Sequence, residues 1–181
     1  KNGQTWIRFH TATDRAGLFL GYVGRLAANG LPIRHASIHT DPVLGVYDWF
    51  EVKTSKSAAQ VKKVLSQSLV SSPSLGAAST RRFEVCFDSI ELISQDENEW
   101  VISFRGRDQQ GALFEAARAL FELGLQIRWS KVHTWGRQID DVFGIFPSLE
   151  EPNRITDALK KSLLLTKASL AAPSVVKLKA T

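Results

Sequence analysis

The chain repeats itself at a constant offset of 94 positions, so that residues 6–40 align with residues 100–134 without a gap. Ten of these thirty-five positions are identical: Trp6/Trp100, Asp14/Asp108, Gly17/Gly111, Leu26/Leu120, Gly30/Gly124, Leu31/Leu125, Ile33/Ile127, Arg34/Arg128, His39/His133 and Thr40/Thr134. After one deletion, Asp48-Trp49-Phe50 aligns with Asp141-Val142-Phe143. Self-similarity of this kind indicates a duplicated structural unit. We therefore predict two domains, residues 1–90 and residues 91–181, instead of a single mid-sized domain.

Each copy alternates strand and helix patterns in the same order. Aromatic and β-branched runs predict strands, an Asp-x-x-Gly turn precedes the first helix, and Asn29-Gly30 or Leu123-Gly124 ends it. The predicted strands are 5–12, 31–40, 46–53 and 82–88 in the first copy and 99–105, 125–134, 138–146 and 174–179 in the second. The second helices are predicted at about 57–69 and 152–165. Residues 70–80 are expected to form a loop, and residues 89–98 a polar linker between the copies.

The resulting order, βαββαβ twice, predicts an α+β fold. Each unit would be ferredoxin-like, with a four-stranded antiparallel sheet and two helices on one face. Units of this size are marginally stable alone. We therefore expect the two sheets to pair edge to edge, to pack face to face, or to be covered by dimerisation. Trp49, Trp129 and Trp135 are candidates for covering the bare sheet face, and ordinary core aromatics are the alternative.

Composition narrows the class of protein. Apolar residues make up 44% of the 181 residues and charged residues 23%, which is typical of a globular chain with a sizeable core. No run approaches the length of a transmembrane helix, and the single cysteine, Cys86, excludes an internal disulfide. The net charge of +5 is spread along the chain, so we expect neither a nucleic acid nor a membrane as partner. Because the chain lacks Met and starts at Lys1, we expect it to be a piece of a longer protein.

The Asp-x-x-Gly turn has two interpretations. The side chain of Asp14 or Asp108 can cap the following helix by accepting from its free N–H groups. The same turn can also bind an amino acid. Gly17 or Gly111 lets the backbone approach a ligand, the helix N-terminus suits a carboxylate, and the Asp can receive an ammonium group.

Other residues favour structural roles. Gly21 and Gly24 are costly inside a helix, and close packing against another element is the expected gain. His35 and His39 lie on one strand face, but no third ligand at suitable spacing supports a metal site. Common catalytic motifs such as Gly-x-Ser-x-Gly and His-Glu-x-x-His are missing, so no catalytic residue and no cofactor are predicted.

The segments Asp14-Arg15-Ala16-Gly17-Leu18-Phe19 and Asn29-Gly30-Leu31 resemble the signature of ACT domains, small regulatory modules that bind amino acids. Asp108-Gln109-Gln110-Gly111-Ala112-Leu113 is a weaker second copy. Three further stretches make the chain similar to the C-terminal tandem ACT region of bacterial PII uridylyltransferase/uridylyl-removing enzymes: residues 36–40, residues 83–88, and residues 131–137 running into Asp141-Val142-Phe143.

The resemblance implies a cytoplasmic regulatory region that senses an amino acid, with glutamine as the effector. A nucleotidyltransferase part outside this chain would then modify PII proteins. The implied ligand-binding residues are Asp14, Arg15, Ala16, Gly17, Leu18, Asp108, Gln109, Gln110, Gly111, Ala112 and Gln126. In ACT domains the start of the second strand often supplies an Asn. In the second unit this position is Gln126, whose side chain can donate and accept hydrogen bonds. In the first unit it is Pro32, whose side chain can do neither.

Two rival functions remain at this point. A tandem-ACT regulator that has lost its ligand would act through protein contacts, and Pro32 and the weaker second motif favour it. An enzyme with a ferredoxin-like fold and an unrecognised active site is the other.

Overall fold

The computed structural model describes residues 4–41, 43–71 and 83–164, which form seven strands and four helices. In chain order these are β1 (Gln4–Thr11), α1 (Leu18–Ala28), β2 (Ile33–Asp41), β3 (Gly45–Lys53), α2 (Ala58–Ser71), β4 (Phe87–Gln95), β5 (Trp100–Arg107), α3 (Ala112–Glu122), β6 (Ile127–Trp135), β7 (Gln138–Ile145) and α4 (Pro152–Leu164). The α+β class is confirmed, and so are the βαββαβ order of the first copy and the matching βαββα order of the second copy as far as residue 164. The strand predicted at 174–179 and most of the loop predicted at 70–80 lie outside the described residues.

All seven strands form one antiparallel sheet in the order β1-β3-β2-β6-β7-β5-β4. The two repeats join where β2 pairs with β6, with His35 opposite His133 and His39 opposite Trp129. Of the three arrangements expected from the sequence, pairing edge to edge is therefore the one observed. We call the β2–β6 pair the seam.

The helices form one layer on this sheet, in which α1 contacts α2 and α3, and α3 contacts α4. The core lies between the two layers and is continuous across the repeats. Phe19 of α1, for example, contacts Phe143 of β7 at a ring-centroid distance of 6.2 Å. Periodic apolar positions predicted the buried faces well, because Ile155, Leu159 and Leu163 of α4 are all buried.

The small residues of α1 allow it to approach α3 closely. A Cβ added to Gly24 would lie 2.9 Å from a ring carbon of Phe114, which is fully buried. The packing role predicted for Gly24 is therefore confirmed. Glycine loses more backbone entropy on folding than alanine does. At Gly24 this cost is offset by close packing against α3, which a larger residue would prevent.

The prediction for β4 is wrong. The sequence predicts a strand at 82–88 and a linker at 89–98, whereas β4 runs from Phe87 to Gln95. Register shifts near Ser89 and Ser94 interrupt its pairing with β5, so that the buried Phe87 and Ile90 are three residues apart and do not alternate. The polar residues that follow form the β4–β5 hairpin turn, in which the Asp96 carboxylate accepts from the N–H groups of Asn98 and Glu99.

Within the described residues, β4 pairs with the second repeat and not with β1. Its ladder partner is β5, and α4 packs against it. Residue 90 therefore lies in the middle of a strand of the second half of the sheet. The division of the chain at residues 90 and 91 remains a prediction.

The sheet face opposite the helices carries several large exposed side chains. Trp6 is 58% exposed, Trp49 42% and Trp135 72%. Trp129, by contrast, is partly buried and donates a hydrogen bond of 2.6 Å from its indole Nε1 to Glu99. Among the described residues, no helix has the length and apolar character needed to cross a membrane.

Candidate functional site

The two Asp-x-x-Gly loops begin α1 and α3 in the same way. Gly17 and Gly111 are the N-cap residues, and both have left-handed backbone angles, with φ of 79° and 86°. Neither helix has a side-chain hydrogen bond at its N-cap. The expected capping role of Asp14 and Asp108 is therefore wrong, because each Asp lies three residues before the glycine that begins the helix.

A cavity of about 380 Å³ lies beside the first loop, and we call it the Asp14 cavity. The first repeat contributes the loop and the first turn of α1. The second repeat contributes the end of α3 and the start of β6. The lining residues are Asp14, Arg15, Ala16, Gly17, Leu18, Phe19, Leu20, Ala117, Phe121, Gly124, Leu125, Gln126 and Ile127.

A larger cavity of about 510 Å³, the Asp108 cavity, lies beside the second loop. Here the second repeat supplies the loop, the first turn of α3 and parts of β6 and β7. The first repeat supplies the end of α1 and the start of β2. The lining residues are Asp108, Gln109, Gln110, Gly111, Ala112, Leu113, Phe114, Val132, Thr134, Ile139, Asp141, Val23, Ala27, Gly30, Leu31, Pro32 and Ile33.

Each loop thus forms its cavity with the opposite repeat. Gln126 lies with the Asp14 loop, and Pro32 lies with the Asp108 loop. Sequence reasoning assigned each of these residues to the loop of its own repeat, and the edge-to-edge seam is the reason that the assignment is crossed. The Asp14 cavity therefore combines the stronger ACT-like motif with a side chain that can donate and accept.

The second loop is held by the segment that precedes β4. The amide of Gln109 donates to the Cys86 carbonyl at 2.7 Å and accepts from the Cys86 N–H at 3.3 Å. Phe83 packs directly over Gly111, where no Cβ would fit. Gln109 therefore fixes the loop in addition to lining the cavity together with Asp108 and Gln110.

Sequence reasoning missed two buried acids, Asp48 on β3 and Asp141 on β7. Both are almost fully inaccessible, and burial raises the pKa of each to about 7. The loop acids contribute to these values. Asp14 raises the pKa of Asp48, whereas Asp140 and Asp108 raise the pKa of Asp141. The alignment of Asp48 with Asp141 in the repeat could have revealed them. Acidic residues are rarely buried within a strand unless they have a partner or a function.

Comparison with known proteins found no family model that matches the chain. Three relatives carry the same name, bifunctional uridylyltransferase/uridylyl-removing enzyme. The protein from Azospirillum brasilense is 33% identical over an alignment of 151 positions that covers 73% of this chain and 16% of the relative. The proteins from Rhodospirillum rubrum and Burkholderia mallei are 29% and 25% identical over 72% and 83% of the chain, and 16% and 19% of their own lengths.

The chain is a distant homologue of one part of these enzymes. It spans less than a fifth of the length of each of the three relatives. The resemblance read from the residues is therefore confirmed for the enzyme group.

The side chains around the two cavities suit binding of a small polar molecule. Carboxylates, amides, one hydroxyl and one guanidinium group line them, and neither lining includes a Ser, Cys, His or Lys among the described residues. His35 lies elsewhere, at the seam, where its ring centroid is 4.4 Å from that of His133 at an interplanar angle of 48°, and its Nε2 is 3.5 Å from a carboxylate oxygen of Glu51. No group of three potential metal ligands is assembled within residues 4–41, 43–71 and 83–164.

Proposed function

We propose that this chain is a tandem ACT regulatory region that binds an amino acid, with glutamine as the first candidate. Binding of the amino acid would control the uridylylation and deuridylylation of PII by a catalytic part outside this chain. The observation that carries the proposal is the crossed construction of the cavities, in which each loop meets the opposite repeat. A ligand at such a position contacts both repeats at once.

The contacts available in the Asp14 cavity match an amino acid zwitterion. Asp14 can accept from the ammonium group, while Arg15 and the first-turn N–H groups of α1 favour a carboxylate. Gln126, from the second repeat, offers a donor and an acceptor to an amide side chain. Asp14 and Arg15 lie in one loop of the first repeat and Gln126 lies in the second repeat, so a small change in the seam alters the spacing between them.

Regulation follows if the repeats have two arrangements that differ in affinity. A ligand shifts such an equilibrium only by its differential affinity for the two arrangements. The relatives' name describes opposed activities, addition and removal of uridylyl groups. A regulatory region that favours one activity when glutamine is bound and the other when it is not would account for both.

The first test is a thermal-shift screen of this chain against the amino acids. A ligand at about 100 times its Kd adds roughly 2.7 kcal/mol to the free energy of unfolding. We expect saturable stabilisation by L-glutamine, reduced in Asp14→Ala and in Asp108→Ala. Asp88→Ala, at an exposed position of β4, is the matched control and should retain the full shift.

A second candidate function is a regulator that acts through protein contacts without a ligand. The exposed Trp6, Trp49 and Trp135 on the open sheet face favour it. The same screen separates the two functions, because this alternative predicts no stabilisation by any amino acid at millimolar concentration. Stabilisation by an amino acid other than glutamine would support sensing and contradict the choice of effector.

A further inference from the structure

The two cavities differ in charge although the repeats are related. The charged residues that line the Asp14 cavity are Asp14 and Arg15, one of each sign. Those that line the Asp108 cavity are Asp108 and Asp141, both acidic, and no cationic side chain belongs to its lining among the described residues. A cavity whose charged groups are all carboxylates favours a cation.

Asp141 is the distinctive residue of the larger cavity. Its side chain is 1% exposed, and within the described parts of the chain its carboxylate accepts one long hydrogen bond, 3.4 Å from the His133 N–H. A buried carboxylate with so few donors is costly to ionise. An ammonium group placed between Asp108 and Asp141 would supply the missing positive charge and donors.

We propose that the Asp108 cavity binds the ammonium group of its ligand between the carboxylates of Asp108 and Asp141, with Asp141 as the residue that sets this preference. The inference rests on the proposed function for the amino acid as ligand. It goes further because it assigns recognition of the ammonium group to Asp141 on β7 and predicts that the two cavities differ in their ligand preference.

Asp48 provides an internal comparison. It aligns with Asp141 in the repeat and is equally buried, but it lines neither cavity. Its carboxylate oxygens have no hydrogen-bond partner among the described residues. A structural effect of removing a buried charge should therefore be shared by Asp48 and Asp141, whereas an effect on ligand binding should belong to Asp141 alone.

Binding of an ammonium group at this position should release a proton. Burial, with a smaller contribution from the neighbouring acids Asp140 and Asp108, raises the pKa of Asp141 to about 7, and the N–H of His133 opposes this rise. The facing residues on the other packed elements are uncharged: Phe104 opposite it on β5, and Leu113 and Phe114 of α3 in the cavity wall. The ligand's charge favours the ionised carboxylate, so the proton leaves as the ligand binds.

The test is titration calorimetry with L-glutamine in the Asp14→Ala variant, which weakens the other cavity. At pH 6, the heat measured in buffers of different ionisation enthalpy should show release of nearly one proton per ligand, falling toward zero at pH 8. With a pKa of about 7, the affinity should rise about tenfold over the same range. Asp141→Asn should abolish proton release and weaken binding about tenfold or more at pH 8.

Asp48→Asn in the same background is the matched control and should bind like its parent. If Asp141→Asn fails to fold, the proton count still tests the proposal because it needs no variant at Asp141. Equal affinity in Asp141→Asn, or binding without proton release at pH 6, would overturn the inference and leave amino acid sensing intact.

Ethylammonium, which has no carboxylate, distinguishes the two proposals. Binding of ethylammonium with proton release, in a chain that binds no amino acid, would support the ammonium site and contradict the proposed function. If neither glutamine, any other amino acid nor ethylammonium binds at millimolar concentration, both proposals are wrong.

Discussion

Ser37 lies directly opposite Lys131 across the seam, and these two residues occupy the same position in the two repeats. The repeats are therefore related by an approximate twofold axis that passes between them. On either side of this axis His35 faces His133, and His39 faces Trp129. This symmetry explains why each loop meets the start of the second strand of the other repeat, and why both cavities depend on one strand pair.

Disruption of the seam should affect both cavities together. Ser37→Pro removes a backbone N–H from a strand that is hydrogen-bonded on both sides, at a cost of about 2–3 kcal/mol in unfolding free energy. Urea unfolding measures this loss, and calorimetry should show weaker glutamine binding at both sites. Ser37→Ala, at the same exposed position, should be close to neutral in both measurements. Unchanged binding in Ser37→Pro would contradict the dependence of the cavities on the seam.

The contact between α1 and α3 should not tolerate a methyl group at Gly24. Gly24→Ala gains about 0.5–1 kcal/mol of helix propensity, but the new Cβ overlaps the buried Phe114 ring. Overpacking of this kind costs about 1–3 kcal/mol, so we expect net destabilisation of about 1 kcal/mol.

Chemical denaturation of Gly24→Ala, Phe114→Leu and the double variant tests the origin of this loss. The effect of Gly24→Ala should shrink or reverse when Phe114 is replaced by the smaller Leu. Additive effects of the two substitutions would show that the helices do not compete for this space.

The two loop glycines should differ in their sensitivity to substitution. Gly17→Ala and Gly111→Ala both place a methyl group in the left-handed region, which costs about 1–2 kcal/mol. At Gly111 the methyl group also overlaps the ring of Phe83, whereas at Gly17 the nearest atom is a ring carbon of Phe121 at 3.1 Å. We expect Gly111→Ala to lose at least about 1 kcal/mol more, as measured by thermal unfolding. Equal losses would indicate that the segment before β4 does not press on this loop.

Stability should fall as the pH rises from about 4 toward neutrality, and Asp48 should be one cause. Burial, followed by the charge of Asp14, raises the pKa of Asp48 from 3.8 to about 7 in the folded chain. The folded state then binds the proton more tightly than the unfolded state. This contribution to stability is complete below pH 3.8 and is lost as the pH rises toward 7.

Asp48→Asn is neutral at every pH and should lack this dependence. Relative to the variant, the wild type should lose roughly 2 kcal/mol of unfolding free energy between pH 5 and pH 8. Asp88→Asn, at an exposed position, controls for the general effect of removing one negative charge. Parallel stability curves for wild type and Asp48→Asn would contradict the raised pKa.

The repeat and the apolar periodicity were sufficient to predict the element order, because both are local properties of the chain. The glycines at Gly30 and Gly124, for instance, were predicted to end helices and do have positive φ values of 63° and 71°. The position of β4 was not predictable in this way. Its register shifts break the alternation of buried side chains on which the prediction depended, and it forms a hairpin with β5 of the second repeat.

The assembly of the candidate site was not predictable from the sequence. The loop motifs of Asp14 and Asp108 do line cavities, and ligand binding by these residues stays a prediction. The crossing of Gln126 and Pro32 depends on which sheet edges meet, and the sequence left three arrangements open. The sequence does not distinguish Asp141 from its aligned partner Asp48, because only the folded chain places one of them in a cavity wall.

Titration calorimetry of L-glutamine into this chain tests the central claim most directly. We predict saturable binding that is weakened by Asp14→Ala and, independently, by Asp108→Ala, with circular dichroism showing that both variants remain folded. The absence of saturable binding by glutamine or any other amino acid, up to millimolar concentration and with a folded chain, would contradict amino acid sensing by these two cavities.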